Sequence, residues 1–392
     1  MTYCHDGMGV GHLCRSLEIC ERLDEDFDNL SLLMATGSPY APHFDQIRKV
    51  DWLKLPGIRK LGPEHYSSRV LDMSGRSVIR WRAALLKETA SRWKPDVLLV
   101  DKAPVGVNGE LIPALRWIRR HRPATRLVFG MRDIEDEPAQ TIRQWSRLGV
   151  QRALESCYQE IWVYGMRKVF DVASEYQLSP GIARKLQYLG YICRGECDHR
   201  PRLARRPQVL LTVGGGTDGH HLIDTYLHDA ARRVTAAGLQ TLIVGGPDLP
   251  AEEADRLRSW ALGVPGVRWE DHAPCLYCHL LESRAVVAMG GYNTMTKIAA
   301  LRVPALIVPR SGPRKEQEIR ARLWHKLGLV DWISPAGLTP ARLADRVVDL
   351  VRKPAGEADH PIDLGGLDRV SQRLRSLTQV TRESEIAPPV CL

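Results

Sequence analysis

The stretch VVAMGGYNTMTKIAALRVPALIVPR, from Val286 to Arg310, has the pattern of a strand, a turn, a helix and a second strand in close succession. An apolar run stops at Gly290 and Gly291, a small polar helix start follows at once, and another apolar run ends at Pro309. A glycine turn that leads into a helix presents backbone N–H groups, and the helix dipole adds partial positive charge there. The pattern indicates either half of a phosphate site or an ordinary strand-to-helix connection of an α/β domain.

Apolar, β-branched-rich runs alternate with amphipathic segments along the rest of the chain. The predicted strands are Leu30–Met34, Val97–Val100, Arg126–Phe129, Glu160–Val163, Gln187–Ile192, Val209–Val213, Gln240–Val244, Val267–Glu270, Arg284–Met289 and Ala305–Val308. The predicted helices are His12–Leu23, Ser77–Arg92, Asn108–Arg120, Pro138–Cys157, His220–Ala237 and Pro340–Val351. This alternation predicts an α/β protein with parallel sheets, whose buried strands read as continuous apolar runs.

A length of 392 residues favours two domains over one. The alternation breaks once, in the polar and basic segment CRGECDHRPRLARRP, which is typical of a linker. We therefore predict an N-terminal domain at 1–192, a linker at 193–207 and a second domain at 208–362. A helix at 363–379 is expected to pack back towards the N-terminal domain, before a disordered tail at 380–392. Only MTYC precedes the first glycine turn, so either the first strand is very short or the start of the chain is truncated.

The formal net charge of +9 is carried mostly by arginine and favours anionic partners. No arginine block is interleaved with aromatic residues as in single-strand binders, so small phosphorylated ligands or a membrane surface are favoured over nucleic acid. No apolar run is long enough to cross a bilayer, and the first residues do not resemble a signal peptide. The sequence predicts a soluble, cytoplasmic protein.

The nine cysteines are scattered, and two local groups contain the ligand types of a zinc site. These groups are Cys275 and Cys278 with His272 and His279, and Cys193 and Cys197 with His199. A single C-x-x-C without a second pair at matching spacing is more typical of two buried thiols in a cytosolic protein. We therefore expect no metal site.

Three glycine turns each precede a predicted helix. The first, in HDGMGVGHLCR, departs from the dinucleotide spacing, and no acidic residue ends the next strand, so NAD is not favoured. The second, VGGGTDG, lacks the lysine of a P-loop, which argues against an ATPase. The second and third turns follow parallel strands of one domain and are expected to face the same crevice.

Five segments in order carry a resemblance: GMGVGHLCR, LGYICR, VGGGTDG, MGGYNTMTKIAALRVPALIVP and RKEQEIRA. In these segments the chain resembles the GT-B glycosyltransferases, most closely the group that contains the lipid-I N-acetylglucosaminyltransferase of peptidoglycan synthesis and related predicted bacterial glycosyltransferases. The resemblance implies two Rossmann-like domains that face each other across a cleft. It further implies that the first domain binds the acceptor and the second binds a nucleotide-diphosphate sugar, without a metal or other cofactor.

The resemblance places one arginine, two glycine turns and a polar pair at the donor: Arg194, Gly215, Gly216, Thr217, Asp218, Gly219, Gly291, Tyr292, Asn293, Thr294, Glu316 and Gln317. Thr294 is either a phosphate ligand or a helix cap. Glu316 and Gln317 suit sugar hydroxyls, but they equally suit a solvated helix start. Lys297 stands where the family has a glutamate for the ribose hydroxyls, which leaves the nucleotide open. Arg310 and Arg314 add positive charge, either as ligands or as surface residues.

An inverting transfer needs a base for the acceptor proton. His12 is the first candidate because it ends the first glycine turn, although it could instead bind phosphate or cap the helix. Asp101, at the end of the strand in DVLLVD, is the second candidate. The residues expected on the acceptor side are Gly9, Gly11, Arg132 and Asp133, of which the last two could also form an internal ion pair.

The sequence thus predicts a glycosyltransferase that uses a UDP- or GDP-linked sugar and inverts configuration. A nucleotide-sugar epimerase or hydrolase, or a non-catalytic nucleotide-sugar-binding protein, are the alternatives. The acceptor is either a small molecule or lipid-linked. The segment RSVIRWRAALLKETASRWK, with its tryptophans and bases, suggests peripheral contact with the inner membrane face, or else an ordinary packed amphipathic helix.

Overall fold

The computed structural model describes residues 1–5, 10–41, 50–62, 65–195, 206–273, 275–353 and 361–386. The chain divides into two units. The first unit comprises Met1–Asp133, Pro138–Ile192 and Gly365–Leu392, and the second comprises Ile134–Glu137 and Cys193–Leu364. The short segment at 134–137 therefore groups with the second unit, although it lies within the predicted N-terminal domain.

The strands follow in chain order and are mostly short and apolar. They are β1 (Thr2–Tyr3), β2 (Leu32–Thr36), β3 (Val50–Lys54), β4 (Ile58–Gly62), β5 (His65–Ser68), β6 (Val97–Asp101), β7 (Arg126–Arg132), β8 (Glu160–Tyr164), β9 (Leu186–Tyr188), β10 (Arg206–Thr212), β11 (Gln240–Val244), β12 (Val267–Glu270), β13 (Ser283–Ala288), β14 (Ala305–Ile307) and β15 (Asp331–Trp332).

The helices alternate with these strands, as βαβ units require. They are α1 (Gly11–Asp26), α2 (Gly75–Trp93), α3 (Ile112–His121), α4 (Pro138–Leu148), α5 (Val150–Cys157), α6 (Val172–Glu175), α7 (Pro180–Ala183), α8 (His220–His228), α9 (Ala230–Ala236), α10 (Ala251–Leu262), α11 (Leu276–Glu282), α12 (Tyr292–Leu301), α13 (Glu316–Lys326), α14 (Pro340–Arg352) and α15 (Gly366–Ile386).

The first unit is built on a seven-stranded parallel sheet in the order β3-β2-β1-β6-β7-β8-β9. β1 is only two residues long, yet it lies inside the sheet, where it pairs with both β2 and β6. An additional antiparallel hairpin, β4–β5, was not predicted from the sequence. It is polar along much of its length and is not part of the main sheet, so it lacks the apolar signature of the other strands.

Three predicted helices are interrupted. The segment from Pro138 to Cys157 divides at Gly149, whose φ is 62°. The segment from His220 to Ala237 divides at Asp229, whose φ of −145° is not helical. A left-handed Asn108, with φ 47°, precedes α3. In each case the apolar period continues through the break, which is why the pattern alone predicted one helix.

The last helix, α15, groups with the first unit. Arg373 forms an ion pair with Glu160 of β8, and the Arg22 Nη1 atom of α1 lies 2.5 Å from the Asp368 carboxylate. The helix ends at Ile386, so residues 380–386, which the sequence predicted as a disordered tail, are helical here. The sequence offers no proline or glycine between 367 and 386 to end the helix earlier. In the described part of the chain, no helix is both long and apolar enough to span a membrane.

The second unit is built on a six-stranded parallel sheet in the order β12-β11-β10-β13-β14-β15. Its core includes fully buried side chains from β10, β13, α8 and α14, such as Leu211, Val287, Ile223 and Val347. The strand order reverses between β10 and β13, because the chain first moves outward to β12 and then returns to the far side of β10. In open α/β sheets, such a switch point opens a crevice at the carboxyl ends of the strands.

Candidate active site

Two glycine turns of the second unit meet at this switch point. β10 and β13 are parallel neighbours, with Thr212 opposite Ala288 at their carboxyl ends. The turn that contains Gly215 leaves β10, and the turn that leads to Asn293 leaves β13. Both turns therefore emerge side by side at one edge of the sheet.

The turn after β10 packs backbone against backbone on a further glycine turn, which follows β11. Gly216 has a φ of 95°, and a Cβ atom there would lie 2.5 Å from the Gly245 carbonyl oxygen. Gly246 has a φ of 88°, and the Asp248 N–H donates to the Gly215 carbonyl at 2.7 Å. Only glycine fits both the close approach and the left-handed conformation at Gly216 and Gly246. The sequence at this turn is thus set by backbone geometry.

The helices that follow the two turns begin with glycine rather than with a capping side chain. Gly219 is the N-cap of α8 and Gly291 is the N-cap of α12, and neither can supply a side-chain hydrogen bond. Tyr292 and Thr294 are buried in the first turn of α12, at 4% and 8% exposure. Backbone N–H groups at such helix starts, together with the helix dipoles, favour an anion.

The polar pair at the start of α13 is buried rather than solvated. Glu316 is 2% exposed and Gln317 is 6% exposed. The Arg310 Nη2 atom donates to Glu316 Oε1 at 2.9 Å, and Nη1 donates to Asp218 Oδ2 at 3.2 Å. The Arg310 backbone N–H donates to Gln317 Oε1 at 3.2 Å. One arginine therefore contacts the turn after β10 and both members of the pair.

Three other residues that were considered for the donor site have half-buried side chains. Thr217 lies in the turn after β10, and Lys297 lies on α12. Arg194 is half-buried and precedes residues 196–205, which lie outside the described part of the chain. Cys197 and His199 fall in that segment. Among the described residues, no group of three or more His, Cys, Asp or Glu side chains could hold a metal ion.

A cavity of about 280 Å³ lies beside the glycine turn that follows β11. Its lining includes Gly246, Trp269, Asp271 and His272. The Trp269 Nε1–H donates to Asp271 Oδ1 at 2.7 Å, and the Arg258 Nη2 atom donates to the same oxygen at 2.5 Å. An aromatic wall with a few fixed polar groups is typical of a small-molecule site.

The first unit brings together the two residues that the sequence offered as alternative bases. β1 and β6 are parallel neighbours with Tyr3 opposite Val100, so the first glycine turn and Asp101 share one edge of the sheet. His12, in the first turn of α1, places its Nδ1 atom 2.6 Å from Asp101 Oδ2. Arg15, one helical turn later, donates to Asp101 Oδ1, and its Nη2 atom lies 3.0 Å from His12 Nδ1.

Burial and neighbouring charges determine the charge states of His12 and Asp101. Burial lowers the pKa of His12 to about 3, and the positive charges of Arg15 and Arg132 act in the same direction, against the opposing effect of Asp101. Burial on its own would raise the pKa of Asp101, but the charges of Arg15 and His12 outweigh it and lower that pKa. Near neutral pH we therefore expect a neutral imidazole beside a carboxylate.

A carboxylate can only accept hydrogen bonds. In the contact with Asp101, the His12 Nδ1 atom must therefore carry the proton, which leaves the lone pair on Nε2. This arrangement orients the ring and allows Nε2 to accept a proton from a substrate, as in other histidines that are held by a carboxylate.

The remaining predicted acceptor residues surround this edge of the first sheet. Gly11 is the first residue of α1, and Arg132 is the last residue of β7. Asp133, 2% exposed, lies so close to Gly165 that a Cβ atom on that glycine would approach the Asp133 Cβ to 2.7 Å. Gly9 lies outside the described residues.

No family model matches the chain. A UDP-N-acetylglucosamine--N-acetylmuramyl-(pentapeptide) pyrophosphoryl-undecaprenol N-acetylglucosamine transferase from Paenarthrobacter aurescens (strain TC1) is 26% identical over 176 residues, which cover 44% of this chain and 46% of the relative. The transferase of the same name from Corynebacterium jeikeium (strain K411) is 29% identical over 147 residues, which cover 36% of this chain and 38% of the relative. The matched region spans less than half the length of these curated relatives.

Similarity to solved structures extends over nearly the whole chain. MurG from Acinetobacter baumannii aligns with a TM-score of 0.52 at 12% identity, over 97% of both chains. UGT71G1 from Medicago truncatula, complexed with UDP-glucose, aligns with a TM-score of 0.58 at 11% identity, over 97% of both chains. This chain has the GT-B fold. The fold predicted from the five sequence segments is thus confirmed.

Within the GT-B fold, sequence reasoning missed two charged residues at the candidate site. Arg15 is 2% exposed and completes the His12–Asp101 contact. Arg320 is 1% exposed, and its Nη1 atom donates to the Gly290 carbonyl at 3.0 Å, behind the turn that starts α12. Helical spacing offers a signal in each case, because Arg15 is three residues after His12 and Arg320 is four residues after Glu316.

Proposed function

We propose that this protein is a glycosyltransferase that moves a sugar from a nucleotide-diphosphate sugar to a hydroxyl acceptor, with inversion at the anomeric carbon. The observation that carries the proposal is the meeting of two glycine turns and two helix starts at the switch point between β10 and β13. The curated relatives are named as transferases that use UDP-N-acetylglucosamine, which favours transfer over the epimerase, hydrolase and binding-protein alternatives.

On the donor side, backbone N–H groups at the starts of α8 and α12 would bind the diphosphate. The positive ends of the helix dipoles would stabilise the charge that develops on the leaving group, so no divalent cation is needed for this step. The adjacent cavity with Trp269 would take the nucleoside. A UDP or GDP donor is proposed, and Lys297 leaves the choice between them to experiment.

On the acceptor side, the His12 Nε2 atom would take the proton from the acceptor hydroxyl. The acceptor oxygen then forms a bond to the anomeric carbon, while the bond from that carbon to the diphosphate oxygen breaks and the electron pair leaves with the diphosphate. Asp101 would stabilise the imidazolium that forms. The Asp101 carboxylate is close enough to do so, because its Oδ2 atom lies 2.6 Å from His12 Nδ1.

A thermal-shift panel tests the donor site. We expect one of UDP, GDP, ADP and dTDP to raise the melting temperature, in EDTA as well as in magnesium, because a ligand at 100 times its Kd stabilises the native state by about 2.7 kcal/mol. The matching nucleosides, which lack the diphosphate, serve as controls and should produce much smaller shifts. A panel without any shift, or a shift that disappears in EDTA and returns with magnesium, would contradict the proposed site.

We further propose that the acceptor is lipid-linked and that the first unit contacts the membrane surface. Val70, Leu71 and Trp81 are 88%, 44% and 45% exposed, and lie just before and on α2. Arg76 and Arg80 are exposed on the same helix. Apolar side chains beside basic ones suit an anionic bilayer surface. The curated relatives are named for a pyrophosphoryl-undecaprenol acceptor, which agrees with this chemistry.

Sedimentation with vesicles tests the membrane proposal. We expect binding to phosphatidylglycerol vesicles that weakens with salt, and a severalfold loss of binding in Trp81→Ser, because a large apolar side chain no longer enters the interface. Leu262→Ser is the matched control, since Leu262 is 63% exposed on the second unit. If Trp81→Ser binds the vesicles as strongly as Leu262→Ser, or if the wild type does not bind them, a soluble small-molecule acceptor is favoured.

A further inference from the structure

Arg310 connects two parts of the candidate donor site. It follows β14, and its guanidinium group contacts Asp218 in the turn after β10 and Glu316 at the start of α13. Its own backbone N–H is bonded to the Gln317 side-chain oxygen. A single residue thus holds both members of the Glu316–Gln317 pair, one through its side chain and the other through its main chain.

The contact with Glu316 matters because that carboxylate is almost completely buried. Its side chain is 3% exposed, whereas the Arg310 side chain is 26% exposed and the Asp218 side chain is 34% exposed. A buried carboxylate is costly unless a cation is nearby. The Arg310 guanidinium supplies positive charge, because its Nη2 atom lies 2.9 Å from Glu316 Oε1.

The contact with Gln317 determines which end of its amide faces the site. The Oε1 atom accepts the Arg310 backbone N–H, so the Nε2 group remains as the donor. The pair therefore presents an acceptor carboxylate and a donor amide side by side. Such a combination matches the hydroxyls of a sugar, each of which both donates and accepts.

Arg310 is thus connected to two predicted donor regions, to Asp218 and Glu316 through its guanidinium group and to Gln317 through its main chain.

On the basis of the proposed function, we propose that Arg310 is a positioning residue for the donor sugar. It fixes the Glu316 carboxylate and the Gln317 amide so that they recognise the hydroxyls of the sugar in a nucleotide-diphosphate sugar. The diphosphate itself is bound elsewhere, by the backbone of the two turns. Loss of Arg310 should therefore affect the sugar-bearing donor and leave the free nucleoside diphosphate unaffected.

The test compares two ligands in the wild type and in Arg310→Gln, by calorimetry with the full chain. The ligands are the nucleoside diphosphate that stabilises the wild type and its N-acetylglucosamine derivative. We expect the variant to bind the sugar-bearing ligand about tenfold more weakly, the size of effect of a charge-assisted hydrogen bond. Its affinity for the free diphosphate should stay within about twofold. Arg310→Lys should recover part of the loss because it restores the charge.

Arg256→Gln is the matched control. Arg256 also joins two carboxylates of the second unit, Asp224 and Glu253, but in an exposed position. It should change neither affinity. A double-mutant cycle with Glu316→Gln adds a second measurement, in which the combined loss should be smaller than the sum of the single losses.

The outcomes separate the two proposals. Equal weakening of both ligands in Arg310→Gln, or no weakening of either, would overturn the positioning role and leave the donor site intact. Additive losses in the double-mutant cycle would likewise overturn it. If the wild type binds no nucleoside diphosphate at all, the proposed function fails, and the role of Arg310 fails with it.

Discussion

Replacing His12 by alanine is expected to lower kcat by a factor of about 10² to 10⁴, the usual contribution of a general base. The affinity for the nucleoside diphosphate should not change, because His12 is proposed to act on the acceptor hydroxyl, whereas the turns after β10 and β13 are proposed to bind the diphosphate. Release of the nucleoside diphosphate from the sugar donor measures the rate. The assay uses an acceptor if one supports turnover, and water otherwise. Asp101→Asn should also be slow, because the anionic partner of the imidazole is lost.

The pH dependence provides a second measurement on His12. Its folded pKa of about 3 lies below the ordinary value of 6.5, so the free imidazole stays unprotonated throughout the neutral range. We therefore expect kcat/KM to show no loss from this group as the pH falls through 6.5. In the unfolded chain, His12 takes up a proton near pH 6.5, whereas in the folded protein it does so only near pH 3. The free energy of unfolding is therefore not reduced by this group above pH 6.5, and it decreases as the pH falls from 6.5 to 3. One such group changes the free energy of unfolding by at most about 1.4 kcal/mol per pH unit.

His121→Ala is the control for His12→Ala. His121 is exposed on α3 and stacks on Trp117 with 5.1 Å between ring centroids, away from the Asp101 contact. It should retain the wild-type rate within about twofold, as expected for a surface side chain. A nearly normal rate in His12→Ala, together with an anomeric configuration that NMR shows to be retained, would remove His12 from the mechanism.

Breaking the buried ion pair of the first unit should produce the largest loss of stability. Arg82 and Glu110 are 0% and 1% exposed, and two hydrogen bonds of 2.6 and 2.8 Å join them. The Tyr3 hydroxyl also donates to Glu110 at 2.6 Å, and Arg82 Nη1 donates to the Pro56 carbonyl at 2.8 Å. The pair thus connects β1 and α2 with the loops that follow β3 and precede α3.

We expect Glu110→Gln to lower the free energy of unfolding by about 3 to 5 kcal/mol, because it removes the carboxylate charge that faces the buried Arg82 guanidinium. Urea denaturation measures this loss. The double variant Arg82→Met with Glu110→Leu should recover much of it, since apolar side chains of similar volume remove both charges together.

Arg92→Met on the same helix is the matched control. The Arg92 Nε atom lies 2.8 Å from a Glu88 carboxylate oxygen, which is as short as the buried contacts, but the two side chains are 84% and 64% exposed. Water screens such a pair, so its loss should cost less than about 1 kcal/mol. Equal losses in Glu110→Gln and Arg92→Met would show that burial does not determine the strength of the Arg82–Glu110 contact.

Local pattern was sufficient for much of the fold. The strands Gln240–Val244 and Val267–Glu270 begin and end where the sequence predicted, and the glycine turns stand where strands lead into helices. A buried parallel strand must be apolar on both faces, and a turn with positive φ favours glycine, so both leave a strong signal in a few consecutive residues. The five motifs in order added the GT-B fold.

The sequence by itself determined the alternation of strands and helices, the glycine turns and the set of residues from which a site could be built. The tertiary structure alone decided which of them act together. His12 and Asp101, 89 residues apart, were alternative bases in the sequence and are hydrogen-bonded partners in the fold. The sequence predicted Arg310 only as either a surface residue or a ligand. Such contacts depend on which strands become neighbours, and strand order leaves no trace in the local pattern that a short stretch of sequence can show.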